Sequence, residues 1–147
     1  MFTVVTNPEF RSLLAATQKY AHACNHSLLT TYHAMHVFSN TGRGAAVLEQ
    51  LGVNILNMRK DIDLALKKIA PIQDKEQLRL SGEFTSALKK VDRYAAQKRD
   101  PQITLDHLMT VLRLKDVHTG ELLRKHGAAA PAQITFQDLM QYTAAPE

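Results

Sequence analysis

Apolar residues in this chain recur at three- and four-residue spacing, in blocks parted by short polar breaks, the pattern of amphipathic helices. The first stripe is Phe10, Leu13, Leu14, Thr17, Tyr20, Ala21 and Cys24. It opens on Asn7-Pro8, an N-cap with proline in the first turn, and Thr6-x-x-Glu9 also fits a capping box. Asn25-His26-Ser27 breaks the stripe. Thr30 or Thr31 caps a second helix that turns His33, Ala34, Val37 and Phe38 inward. Asn40 to Gly44 is expected to be a loop, and Ala45 to Leu51 a short helix stopped by a left-handed Gly52. Asn54 caps a fourth helix with Ile55, Met58, Ile62, Ala65, Leu66 and Ile69 on one side and Arg59, Lys60, Asp63, Lys67 and Lys68 on the other. Ala70-Pro71 ends it. From Pro71 to about Leu80 the chain is polar and carries no stripe, so it reads as a linker.

The plan then repeats. Ser81 or Gly82 opens a helix through Phe84, Leu88, Val91, Tyr94 and Ala95. Asp100-Pro101 makes the turn, and Thr104 caps a helix over Leu105 to Leu114. Asp116 to His126 gives a short helix stopped by Gly127, and Thr135 or a neighbour begins the last helix with Phe136, Leu139 and Met140. Pro131 cannot lie deep in a helix. Phe10 and Phe84, Tyr20 and Tyr94, Thr30 and Thr104, His33 and His107, and Met35 and Met109 each stand 74 residues apart. Leu48 and Leu123, like Gly52 and Gly127, stand 75 apart. The sequence is a tandem duplication. The expected fold class is all-α: eight helices in two four-helix halves (about 1–70 and 81–143), related by a pseudo-twofold axis, with a linker over 71–80 and no strand. Residues 1–147 are expected to form a single monomeric domain, 144–147 starting a further linker.

Composition changes this picture little. Of 147 residues 45% are hydrophobic and 22% charged, the ordinary globular range. The net charge of +4 is mild, and acidic residues interrupt the basic ones, so no cationic stripe points to nucleic acid. Cys24 is the only cysteine, which excludes an intramolecular disulfide and suits a reducing, cytoplasmic setting. No run approaches the roughly 20 apolar residues of a membrane span.

Candidate chemistry is sparse. His33-x-x-His36 shares a helix face, with Cys24 and His26 near in sequence, but a metal site needs three or four converging ligands. His107 repeats the position of His33 with Thr110 three residues on, so both histidines read as buried structural groups and no metal is expected. A nucleophilic site at Cys24 with His22 or His26 lacks an orienting third group. No phosphate loop is present, so no catalytic residue and no cofactor is expected in this chain. Asp100 and Asp106 flank the turn that starts the sixth helix. They read either as a solvated loop carboxylate and a favourable first-turn charge, or as a rim gripping a partner peptide.

Two segments carry a resemblance. Asn25-His-Ser-Leu-Leu-Thr-Thr-Tyr-His-Ala-Met-His-Val-Phe38 with Val47-Leu-Glu-Gln-Leu-Gly52 recurs as Asp100-Pro-Gln-Ile-Thr-Leu-Asp-His-Leu-Met-Thr-Val-Leu112 with Leu122-Leu-Arg-Lys-His-Gly127. Both copies resemble the repeat of the Clp ATPase N-terminal domain, across essentially the whole chain. Asp92-Arg-Tyr-Ala-Ala-Gln-Lys-Arg99 is most similar to the ClpB disaggregase branch, and Leu123-Arg-Lys-His126 is similar to ClpA. The resemblance implies an N-terminal module of a hexameric AAA+ unfoldase or disaggregase, binding unfolded or aggregated protein substrates or adaptor proteins. ATP would belong to the parent ring. It also implies an apolar groove for exposed hydrophobic segments, with Thr6 or Asn7, Asp100 and Asp106 contributing and Leu88 on an apolar groove position. Tyr32 stands where the first repeat commonly has glutamate, removing one acid of the phosphoarginine site of ClpC-type domains. Lys90 stands where ClpB-like sequences often have leucine. The alternative is a free-standing accessory or adaptor that docks on a Clp complex. Tyr142-Thr-Ala-Ala-Pro-Glu147 reads as the start of a linker and favours the module.

Overall fold

The lead-in to the first helix is a short strand, β1 (Val5–Thr6), followed by Asn7 as N-cap. Asn7 Oδ1 accepts the Glu9 N–H at 2.9 Å, and Pro8 fills the first helical position, where no amide hydrogen is needed. The helix α1 (Pro8–Ala23) buries Phe10, Leu13, Thr17 and Ala21. In this computed structural model residues 2–73, 77–128 and 136 are described. Strand β2 (Leu28–Leu29) precedes α2 (Thr31–Ser39), α3 (Gly42–Gln50) and α4 (Ile55–Leu66). Strand β3 (Arg79–Leu80), α5 (Gly82–Gln97), β4 (Gln102–Ile103), α6 (Leu105–Leu112) and α7 (His118–Lys125) then repeat the order. The molecule is mostly helical, with seven helices among the described residues. Of the expected eighth only Phe136 is described, and it is helical and buried. Its neighbours from Thr135 to Met140 lie outside the described residues. No helix among those described is long and apolar enough to cross a membrane.

Two expectations need correction. The chain does contain strands, and the segment read as a linker ends in one of them. β1 pairs in parallel with β4 (Val5 opposite Gln102) and β2 with β3 (Leu28 opposite Arg79). Each pair ties the lead-in of one half's first helix to the turn inside the other half. β1 and β3, like β2 and β4, are 74 positions apart. A two-residue ladder shows no alternation, so the hydrophobic pattern carries no trace of it. The second correction concerns α3, which begins at Gly42 rather than Ala45. Thr41 Oγ1 accepts the Gly44 N–H at 2.9 Å, and a Cβ on Gly44 would stand 1.8 Å from the Phe38 carbonyl oxygen. Gly44 is there because the backbone of α2 is too close for a side chain.

One buried cluster runs through both halves, including Phe10, Phe84, Met35, Met58, Ile62 and Leu108. Glu83, in the first turn of α5, accepts Thr31 Oγ1–H at 2.6 Å and the His118 N–H at 2.6 Å, tying α5 to the starts of α2 and α7. Asn54 N–H donates to the His126 carbonyl at 2.9 Å, and Asp61 accepts from Lys125 and His126. Beside these bonds Gly52 (φ +82°) and Gly127 (φ +105°) abut. A Cβ on Gly127 would lie 2.7 Å from the Gly52 carbonyl oxygen.

Candidate functional site

The capping boxes explain the two histidines. At each of Thr30 and Thr104 the third helical residue is histidine, and its Nδ1 accepts the cap's backbone N–H at 2.9 Å. Nδ1 therefore carries no proton, and Nε2–H is the donor. In the second half that proton goes to Asp100 Oδ2 at 2.6 Å. In the first half it goes to His26 Nδ1 at 2.8 Å. Asp100 and His26 occupy matching places because Arg99 and Asn25, just before them, both adopt the left-handed conformation, at φ +59° and +60°. Asp100 is thus no solvated loop carboxylate: it accepts from a histidine that is 6% exposed.

Tyr94, Lys98, Asp100, Gln102, Asp106 and Thr110 help line a depression of about 320 Å³ outside this pair. The structure brings the two aspartates to one place, and the place is polar. Lys98 reaches over the Tyr94 ring, 5.4 Å from its centre, and Asp106 faces Arg43 at 3.4 Å. Thr6 and Asn7 stand beside it. Asn7 Nδ2–H donates to Gln102 Oε1 at 3.0 Å, and Thr6 takes the Arg11 guanidinium on its carbonyl and hydroxyl. Asn7 and Thr6 hold the β1–β4 junction, and neither lines the depression.

The matching region of the first half is a closed cluster. His33 is fully buried, and burial first, then His26 and His36, push its imidazole down to about 4. Burial also lowers His26 and His36. Tyr20 stacks on His36 with ring centres 4.2 Å apart, and burial followed by its Cys24 contact raises its hydroxyl above the ordinary value. His26 and His33 share a hydrogen bond and His36 stacks on Tyr20, so these rings pack as a structural cluster. Among the described residues no group of three or more His, Cys, Asp or Glu side chains is placed to hold a metal.

Leu88 lies elsewhere. It is 6% exposed and forms part of the floor of a larger groove, about 740 Å³, along the outer side of α5. Phe2, Leu80, Ala96 and Phe136 supply the other apolar walls, and Lys89, Lys90 and Arg93 the basic ones. Phe2 is held edge-on against Phe10, ring centres 5.8 Å apart. The N-terminal segment that carries it is fixed by Asp92, whose carboxylate accepts the Thr3 and Val4 N–H groups at 3.0 Å and the Thr3 hydroxyl at 2.9 Å. Burial works to raise the Asp92 pKa, but these hydrogen bonds outweigh it and hold the carboxyl below its ordinary value. Lys90 Nζ sits 5.7 Å from the centre of the Phe136 ring and 3.4 Å from Asp116. Of the five residues singled out in the sequence, Asp100 and Asp106 line the polar depression, Leu88 lines the apolar groove, and Thr6 and Asn7 line neither. Sequence reasoning missed Phe2 and Leu80. The only signal was an apolar residue at the end of an otherwise polar linker and an aromatic one ahead of the first cap.

The family profile described as the Clp repeat (R) N-terminal domain matches residues 6–126 of this chain. Among solved structures, the Hsp104 N-terminal domain from Candida albicans superposes with a TM-score of 0.70 at 15% identity, covering 95% of this chain and 89% of that one. A chain from structural investigations of a malarial protein secretion system gives a TM-score of 0.69 at 20% identity, covering 94% of this chain and 91% of that one. At these identities the likeness is one of fold.

Proposed function

This chain belongs to the Clp repeat N-terminal domain family, and from that premise we propose that it is a docking module, of the ClpB and Hsp104 kind, for exposed apolar segments of unfolded protein. The segment lies in the groove over Leu88, between Phe2 and Thr3 of the N-terminal segment and α5. The single observation that carries this reading is that groove. It is the larger of the two depressions described above, it is walled by Phe2, Leu80 and Phe136, and its volume of about 740 Å³ has room for a few side chains. The parent in this reading is a hexameric AAA+ ring that supplies ATP hydrolysis, and this chain supplies capture. Burying two or three apolar side chains at about 1.5–3 kcal/mol each, less the cost of ordering the segment, gives an affinity of about micromolar or weaker. Six copies on one ring would offset that weakness through avidity. Asp100 and Asp106, with Thr6 and Asn7 behind them, form a second, polar surface suited to a folded adaptor.

The experiment is a titration of a permanently unfolded model protein with the wild type and with Leu80→Gln. Leu80 is 40% exposed, so the variant changes the groove wall without opening the core. Binding should weaken several-fold while the thermal melt stays put. Equal binding by the two proteins would refute the groove as the docking place.

A further inference from the structure

The walls of the groove are not neutral, and their charge is one-sided. Among the described residues Lys89, Lys90 and Arg93 line it, against a single carboxylate, Asp92. That carboxylate already accepts hydrogen bonds on both oxygens from Thr3 and Val4, so it faces inward to the chain's own backbone. Lys90 has Asp116 at 3.4 Å. Lys89 and Arg93 are exposed on α5, four residues apart and hence on one face of the helix, and among the described residues neither has an ion-pair partner. Two free cations stand at an apolar trough in which, among the described residues, no acid is free to balance them.

Resting on the docking reading above, we propose that the groove prefers apolar segments flanked by acidic side chains. Bulky side chains fill the space between Phe2, Leu80 and Phe136, and glutamate or aspartate beside them meets Lys89 and Arg93. The same two cations oppose a basic flank. This makes the groove selective by rejection as well as by attraction: segments flanked by lysine or arginine are turned away. A carboxylate flank also speeds encounter at low ionic strength.

The test uses three fluorescent peptides with the same Leu-Phe-Leu centre and flanks of glutamate, glutamine or lysine, followed by anisotropy at low and at high salt. The glutamate peptide should bind about fivefold tighter than the glutamine one at low salt, the effect two exposed ion pairs supply. The gap should close at high salt. The double variant Lys89→Glu with Arg93→Glu should reverse the order of the glutamate and lysine peptides. Lys67→Glu with Lys68→Glu, an equal charge change on the exposed side of the α4 terminus, should leave it alone. Three peptides binding equally well would overturn the charge preference and leave the apolar groove standing. The same is true if the Lys67/Lys68 variant erases the preference as fully as the groove variant. No binding of any peptide would overturn the docking reading and this inference together.

Discussion

Replacing His26 by aspartate should reduce the acid sensitivity of the first half. In the wild type, Nδ1 of His33 accepts from Thr30 and Nε2–H donates to His26 Nδ1 at 2.8 Å. A proton added to His26 Nδ1 would set two N–H groups against each other, and a proton added to His33 would charge a ring with no exposed surface. His33 is accordingly pushed from 6.5 to about 4, by burial first and then by His26 and His36. Among the other groups around His36, Asp63 acts to raise its pKa and Arg59 to lower it. The unfolded chain takes up its proton below pH 6.5, and the folded chain does so only near 4. Stability is therefore fully present above 6.5 and is lost as the pH falls through that window. At about 1.36 kcal/mol per pH unit, His33 alone contributes about 3 kcal/mol over the whole interval and about 2–3 kcal/mol between pH 7 and 4.5. Asp92 is lowered too, but a carboxylate acts below its ordinary value of 3.8, outside this window. An aspartate at position 26 follows a left-handed Asn25 as Asp100 follows a left-handed Arg99, so it reaches Nε2 the same way and favours the charged ring. Urea titrations at several pH values from 7 to 4.5 measure this directly. His26→Asp should lose less than about 1 kcal/mol where the wild type loses about 2–3. A wild type whose stability is flat over this range, or a variant with the same slope, would refute the reasoning.

Gly127→Ala should cost about 1–3 kcal/mol, since its Cβ at φ +105° meets the Gly52 carbonyl oxygen at 2.7 Å. Gly52→Ala, whose nearest contact is 3.5 Å, should cost only about 1 kcal/mol. Asp100→Ala leaves the buried His107 Nε2–H without its acceptor and should destabilise by about 1–3 kcal/mol in chemical denaturation. Asp106→Ala, at a side chain 77% exposed, should change stability by less than about 0.5 kcal/mol. Because Asp100 supports the fold, any loss of binding in Asp100→Ala has to be read beside its melting curve.

What was legible in the sequence was whatever repeats at helical spacing or caps a helix. The stripe Phe84, Leu88, Val91, Tyr94 and Ala95 is buried throughout, Asn7, Asn54 and Ser81 cap where expected, and His33 and His107 are buried. The paired strands were invisible because two residues show no period, and because their partners lie in the other half of the chain. The Asp100–His107 bond escaped for another reason. A carboxylate before proline reads as solvated, and only the left-handed Arg99 turns it inward. Of the residues around this groove the sequence pointed to Leu88 and Lys90, and only through the resemblance. Phe2 and Leu80 belong to segments with no stripe of their own, and only the strand pairs and the Asp92 clamp bring those segments to α5.

The docking claim is tested most directly by mapping backbone amide chemical shifts while an apolar peptide is added to the isotope-labelled domain. Shifts should concentrate on Thr3, Leu80, Thr85, Leu88, Lys89 and Arg93, the residues around the groove. Shifts confined to Tyr94, Lys98, Gln102, Asp106 and Thr110 would move the site to the polar depression and contradict the account, as would no shifts at all.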